Sequence, residues 1–130
     1  MDQKTILIAD DDEEIVRVLS VGLRSAGYNV LAAMDGTQAF MLANRQPPDL
    51  LILDIKMPAG DGFAVIDKLH HSIKTMNIPV IIYTGLEIEY PEKRARELGV
   101  RAIFKKPADP AEILEAIGEI LSGGPGGDST

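Results

Sequence analysis

The residues best suited to chemistry sit just beyond four short apolar runs. Asp10 and Asp11 follow Ile6-Leu7-Ile8-Ala9, and Asp54 closes Leu50-Leu51-Ile52-Leu53. Thr84 follows Val80-Ile81-Ile82-Tyr83, and Lys106 follows Ala102-Ile103-Phe104-Lys105. If the runs are parallel strands, their carboxyl ends share one edge, and three carboxylates, a hydroxyl and an ammonium gather there. A pair of carboxylates about 4 Å apart repels by about 4 kcal/mol at an effective dielectric near 20, so a cation is needed to resolve the cluster. Mg²⁺ is held by a few carboxylate oxygens completed by water and phosphate. A carboxylate can also accept a phosphoryl group as an aspartyl-phosphate. A lysine and a metal neutralise the transferring oxygens, and a hydroxyl completes the cradle.

The intervening segments must position these groups, and they alternate strand-length apolar runs with helical patterns five times. That alternation signals an α/β fold with a parallel sheet. Ile15, Val18, Leu19, Gly22, Leu23 and Ala26 lie on one helical face, and Gly27 ends that helix as a left-handed cap. A second strand, Tyr28 to Ala33, leads through Asp35-Gly36 to a helix carrying Ala39, Leu42 and Ala43, stopped by Pro47-Pro48. After Asp54 a loop, Lys56-Met57-Pro58-Ala59-Gly60, precedes a helix from about Asp61 with Gly62, Ile66, Leu69 and Ile73 on one stripe. Pro79 opens the fourth strand. A charged, thinly apolar helix from about Tyr90 to Leu98 is expected to be the most loosely held element. The last helix starts at Asp109, with Pro110 at its first position and Glu112 closing a capping box, and presents Ile113, Leu114, Ile117, Ile120 and Leu121. The expected fold is a flavodoxin-like, doubly wound five-stranded parallel sheet of order 2-1-3-4-5 with five helices. Ligands of such sheets bind where the order reverses, between strands 1 and 3.

Composition narrows the function. The chain has 130 residues and is 45% hydrophobic, enough for one packed domain. Thirteen basic against 20 acidic residues give a net charge of −7, which argues against direct nucleic-acid binding; Lys93, Arg94 and Arg96 form the one basic cluster and read as a solvated helix face. The absence of cysteine excludes disulfides, thiolate chemistry and Cys-based zinc sites. His70 and His71 are adjacent and diverge by about 100° on a helix, so they suit a surface better than one metal. No apolar run approaches the ~20 residues of a membrane span, and a soluble cytoplasmic protein is the default expectation. Residues 1–122 are read as the domain, and 123–130 as a flexible Gly-rich tail or linker stub.

Asp10 to Glu14 are consecutive acids, and favourable placement at a helix start accounts for Asp12, Glu13 and Glu14. The information lies in five suitable residues at four ends of one sheet edge. Together with Asp54-Ile55-Lys56-Met57-Pro58-Ala59-Gly60-Asp61-Gly62, Tyr83-Thr84-Gly85 and Lys106-Pro107, the pattern resembles the receiver domain of two-component response regulators from about Lys4 to Leu121. The resemblance implies that Asp54 is the phosphoacceptor, with a histidine kinase or phosphotransfer protein as donor. It implies Mg²⁺ on Asp11, Asp54 and the Lys56 backbone carbonyl, with Asp10 helping through water, and Thr84 and Lys106 on the phosphoryl oxygens. Pro58, Gly62 and Pro107 would set loop geometry, the Lys106-Pro107 bond being cis. Output would pass to a downstream effector protein or a C-terminal output domain, around the fourth helix, fifth strand and fifth helix.

Two departures stand out. Receivers commonly carry an aromatic residue three positions before the lysine, where this chain has Ile103; Phe104 should face the other side of the strand. Lys56, two positions after the acceptor, is a site whose side chain can influence acyl-phosphate lifetime in such proteins. Two alternatives compete: a receiver-fold binding module acting without phosphorylation, and a phosphatase of the haloacid-dehalogenase type. The latter is suggested by Asp10-Asp11-Asp12 but opposed by Glu14 and by the shortness of the chain.

Overall fold

All five apolar runs form strands; the three central ones are covered on both faces, which only near-continuous apolar segments tolerate, and the two edge strands are partly exposed. The strands are β1 (Thr5–Ala9), β2 (Asn29–Ala33), β3 (Leu50–Leu53), β4 (Val80–Thr84) and β5 (Ala102–Lys105), parallel throughout in the order β2-β1-β3-β4-β5. The computed structural model describes residues 3–56, 62–85, 93 and 95–123. The helices are α1 (Glu13–Ser25), α2 (Gly36–Arg45), α3 (Gly62–His70), α4 (helical at 93 and 95–97) and α5 (Pro110–Leu121). The Met57-Pro58-Ala59-Gly60-Asp61 stretch, residues 86–92 and 94, and the tail from 124 lie outside the described residues.

Alternation along each strand divides the core in two. Leu7, Ala9, Leu51, Leu53 and Ile82 face Ala39, Ala43, Val65, Ile66 and Leu69 of α2 and α3. Ile6, Ile8, Leu50, Ile52, Ile81 and Tyr83 face Leu19 and Leu23 of α1 and Ile113 and Ile117 of α5. Ile103 packs with the first cluster and Phe104 with the second, on opposite faces as expected.

The termini follow local chemistry. Asp12 caps α1, its Oδ1 accepting from the Glu14 N–H at 2.9 Å, and Gly27 beyond the far end has φ 95°. Asp35 caps α2 by accepting from Gln38 N–H at 2.8 Å, and Asp109 caps α5 by accepting from Ala111 N–H at 3.0 Å.

Three packing expectations fail, the first at Ala26, which lies exposed just beyond the end of α1. Val18 is 46% exposed, because α1 docks through Ile15, Val16, Leu19, Ser20 and Leu23, rotated away from Val18. Ile73 is 91% exposed, because α3 ends at His70 and the chain turns. Thr75 takes the buried place instead, its hydroxyl donating to the Leu69 carbonyl at 2.7 Å, so a polar side chain satisfies the end of the helix. β2 and β4 begin one residue later than the expected starts at Tyr28 and Pro79.

Candidate functional site

Sheet register assembles the site. Ala9 pairs with Leu53, so the next residues, Asp10 and Asp54, emerge side by side, and the Asp54 N–H donates to the Ala9 carbonyl at 2.9 Å. Leu53 pairs with Ile82, and Thr84 with Lys105, so Lys106 leaves the edge two strands away and two residues further on. Two strand spacings are roughly 10 Å, a gap suited to a long, flexible lysine stem. The Lys106 Nζ lies 2.8 Å from Asp10 Oδ2 and 3.1 Å from Asp54 Oδ2. The Lys106 N–H is anchored to the Thr84 carbonyl at 2.8 Å, and Thr84 is fully buried at the end of β4.

The acids have different surroundings. Asp10 is 2% and Asp54 6% exposed, while Asp11 is exposed. One carboxylate oxygen from each lies within 4.8 Å of the others. Asp10 Oδ1 accepts from Asp12 N–H at 2.9 Å, and Asp54 Oδ1 from Lys56 N–H at 3.2 Å. Burial pushes the Asp10 carboxyl above its usual value, outweighing the bond to Lys106 that opposes it. Burial works to lower Lys106, but its bonds to Asp10 and Asp54 prevail and hold the ammonium above the ordinary lysine value. Three carboxylates facing one ammonium leave two negative charges, and every donor is a hard oxygen, the set that Mg²⁺ prefers.

Of the three residues expected to set loop geometry, Gly62 and Pro107 are among the described residues. Gly62 opens α3 against the acceptor loop: its N–H donates to the Ile55 carbonyl at 2.7 Å, and a Cβ there would lie 2.8 Å from both the Asp54 oxygen and the Ile55 Cα. The Lys106-Pro107 bond is cis. Pro58 lies outside the described residues. Exposed His71 bonds its own helix through the Asp67 carbonyl at 2.7 Å, consistent with a surface role.

One neighbour of the site was missed in the sequence. In the sequence Tyr83 is simply a strand residue, yet its ring centroid lies 5.7 Å from Lys106 Nζ and its hydroxyl accepts from the Ala108 N–H at 3.3 Å. The available signal was its place, directly before Thr84 and, by alternation, on the opposite face of the strand.

A parallel sheet in this order, with an acidic, lysine-bridged pocket where the strand order reverses, defines the CheY-like class of flavodoxin folds. The chain belongs to the response regulator receiver domain family, whose model matches residues 6–118. It is 34% identical to the alkaline phosphatase synthesis transcriptional regulatory protein PhoP of Bacillus subtilis over 91% of this chain and 48% of that protein. It is 36% identical to the DNA-binding dual master transcriptional regulator RpaA of Synechocystis, over 89% of this chain and 48% of the relative. The chain thus spans about half the length of these curated relatives. Among solved structures, a CheY-like receiver domain protein from Methanospirillum hungatei superposes with a TM-score of 0.87 at 28% identity, covering 93% of this chain and 95% of that one. The non-phosphorylated HemR receiver domain of Leptospira biflexa gives 0.84 at 27% identity, covering 92% and 95%.

Phosphorylation-dependent signalling in two-component systems is the general function of the family, and its members are regulatory domains rather than conventional enzymes. The phosphatase alternative falls on that ground. Receiver domains generally bind Mg²⁺, and Asp10, Asp11 and Asp54 form a cluster whose oxygens are close enough together to hold a metal ion. Among the described residues no helix is long and apolar enough to cross a membrane.

Proposed function

We propose that this domain, residues 1–122, receives a phosphoryl group on Asp54 from a phosphohistidine of a kinase or phosphotransfer protein in the cytoplasm, with Mg²⁺ bound by Asp11, Asp54 and the Lys56 carbonyl and assisted by Asp10. The observation that carries this reading is the Lys106 ammonium bridging Asp10 and Asp54 beside a third carboxylate. When bound, the metal supplies positive charge to the oxygens of the transferring group. The protein's part is to orient the groups. The bond of Asp54 Oδ1 to the Lys56 N–H fixes the carboxylate plane, leaving Oδ2 beside Lys106 as the nucleophilic oxygen. An oxygen–phosphorus bond forms there as the donor's nitrogen–phosphorus bond breaks, the donor imidazole keeping the bonding pair. Lys106 then moves from neutralising a carboxylate to neutralising the phosphoryl oxygens, and the Thr84 hydroxyl donates to one of them.

The output follows from the same anchor. Thr84 holds Lys106 through its carbonyl, so a pull on Thr84 reaches β5 and the start of α5, and a downstream effector or output domain reads that surface. Residues 123–130 would serve as a linker stub. Ile103, half-buried against the α2 and α3 side, has a β-branched, stiff side chain and no hydroxyl, so the change is carried by backbone rather than by an aromatic rotamer.

The test uses acetyl phosphate with intact-mass detection. Wild type gains one phosphoryl group in Mg²⁺ and none in EDTA, and Asp54→Asn gains none. Equal labelling of Asp54→Asn would refute the assignment, and no labelling of wild type would favour a binding module that acts without phosphorylation.

A further inference from the structure

The ammonium of Lys106 ends a stem with four rotatable bonds, and two carboxylates alone do not fix its direction. The structure holds the Lys106–Ala108 segment from two adjacent residues of β4 whose side chains lie on opposite faces. Thr84 grips it through the main chain, its carbonyl accepting from Lys106 N–H at 2.8 Å. Tyr83 grips it through the side chain, its hydroxyl accepting from Ala108 N–H at 3.3 Å while its ring lies 5.7 Å from Nζ. At 5% exposure Tyr83 also fills the core beside Ile81 and Ile113, a task for which a large apolar side chain suffices. A core role requires neither a hydroxyl that spans to the next loop nor a π face beside the ammonium.

We infer that Tyr83 is the positioning residue for Lys106, its ring holding the ammonium over the pocket and its hydroxyl fixing the loop from which that ammonium is delivered. Transfer exchanges the Asp54 carboxylate for phosphoryl oxygens as a partner of Nζ, and the aromatic contact is the restraint that holds the ammonium in place for that exchange. The inference rests on Lys106 acting on the phosphoryl group, as proposed above.

The test compares Tyr83→Phe and Tyr83→Leu, each alone and combined with Lys106→Ala. In Mg²⁺-free protein, NMR should show ring-current-shifted Lys106 side-chain protons in wild type and Tyr83→Phe, and unshifted ones in Tyr83→Leu. Tyr83→Phe should speed exchange of the Ala108 amide alone. With acetyl phosphate and saturating Mg²⁺, Tyr83→Leu should slow Asp54 phosphorylation by roughly 3- to 10-fold, and Tyr83→Phe by less than about 2-fold. In the Lys106→Ala background Tyr83→Leu should have no further effect, because the two residues act as one unit. An equal slowing in both backgrounds, or absence of the ring-current shift, overturns the inference. A Lys106→Ala protein phosphorylated at the wild-type rate would instead overturn the role of Lys106 itself, even with the NMR shift present.

Discussion

Gly62 offers a test in which helix propensity and packing predict opposite signs. Replacing glycine by alanine in a helix usually stabilises, by about 0.5–1 kcal/mol in the interior and by less at a first position such as this one. At Gly62 the added Cβ would sit 2.8 Å from the Asp54 carbonyl oxygen and 2.8 Å from the Ile55 Cα, with the Leu53 Cδ2 at 3.3 Å. Two of those neighbours are backbone atoms that cannot swing aside. Overpacking at such a site costs typically about 1–3 kcal/mol, and the rigidity of this one favours the upper part of that range. The net expectation for Gly62→Ala is a loss of about 1–2 kcal/mol, or roughly 4–8 °C in Tm for a domain of this size. Relief of the clash must also move Asp54, so phosphorylation from acetyl phosphate should slow on the order of tenfold. Gly118 in α5 is the control, since a Cβ there meets nothing within 4 Å. Gly118→Ala should stabilise by about 0.5–1 kcal/mol. Circular dichroism melts of the three proteins decide the matter: a Gly62→Ala midpoint at or above wild type would refute the reasoning.

The acidic pocket makes three further predictions with the core. Mg²⁺ at about 100 times its dissociation constant should stabilise the domain by about 2.7 kcal/mol in urea titrations, and Asp11→Asn should remove most of that gain; an undiminished gain would place the metal elsewhere. Because burial raises Asp10 above its ordinary 3.8, the unfolded chain loses this proton first, so wild type should lose stability relative to Asp10→Asn as pH climbs from 3.8 through the folded-state value and hold a constant deficit above it. A gap that closes with rising pH in Mg²⁺-free urea melts would reverse that sign. Ile66→Ala, emptying a fully buried site, should cost about 2–5 kcal/mol, whereas Ile73→Ser, at a side chain 91% exposed, should stay within about 0.5 kcal/mol; comparable losses would contradict the ending of α3 at His70.

The sheet was legible because its central strands are buried on both faces, and Ile6 to Ala9, Leu50 to Leu53 and Val80 to Tyr83 therefore read as unbroken apolar runs. The pocket was legible for the same reason: once the strands are parallel, the residue types at their carboxyl ends are forced together. What the one-dimensional pattern lacks is orientation and extent. Helical spacing treats Val18 and Val16 as alternatives, and only the docking of α1 on the sheet selects Val16. The stripe through Ile66 and Leu69 extrapolates to Ile73, but periodicity carries no signal for the turn at His71, where Thr75 rather than an aliphatic residue satisfies the helix end. Tyr83 escaped because its contact with Lys106 joins two neighbouring strand ends, a relation that appears only when register is known.

The central claim is that one carboxylate among three accepts the phosphoryl group. Reduction of the freshly phosphorylated protein with borohydride converts an acyl phosphate to an alcohol, so an aspartyl-phosphate becomes homoserine, and peptide sequencing locates it. The account predicts homoserine at position 54 alone, formed only in Mg²⁺. Homoserine at position 10 or 11, or label that survives at another residue in Asp54→Asn, would contradict it.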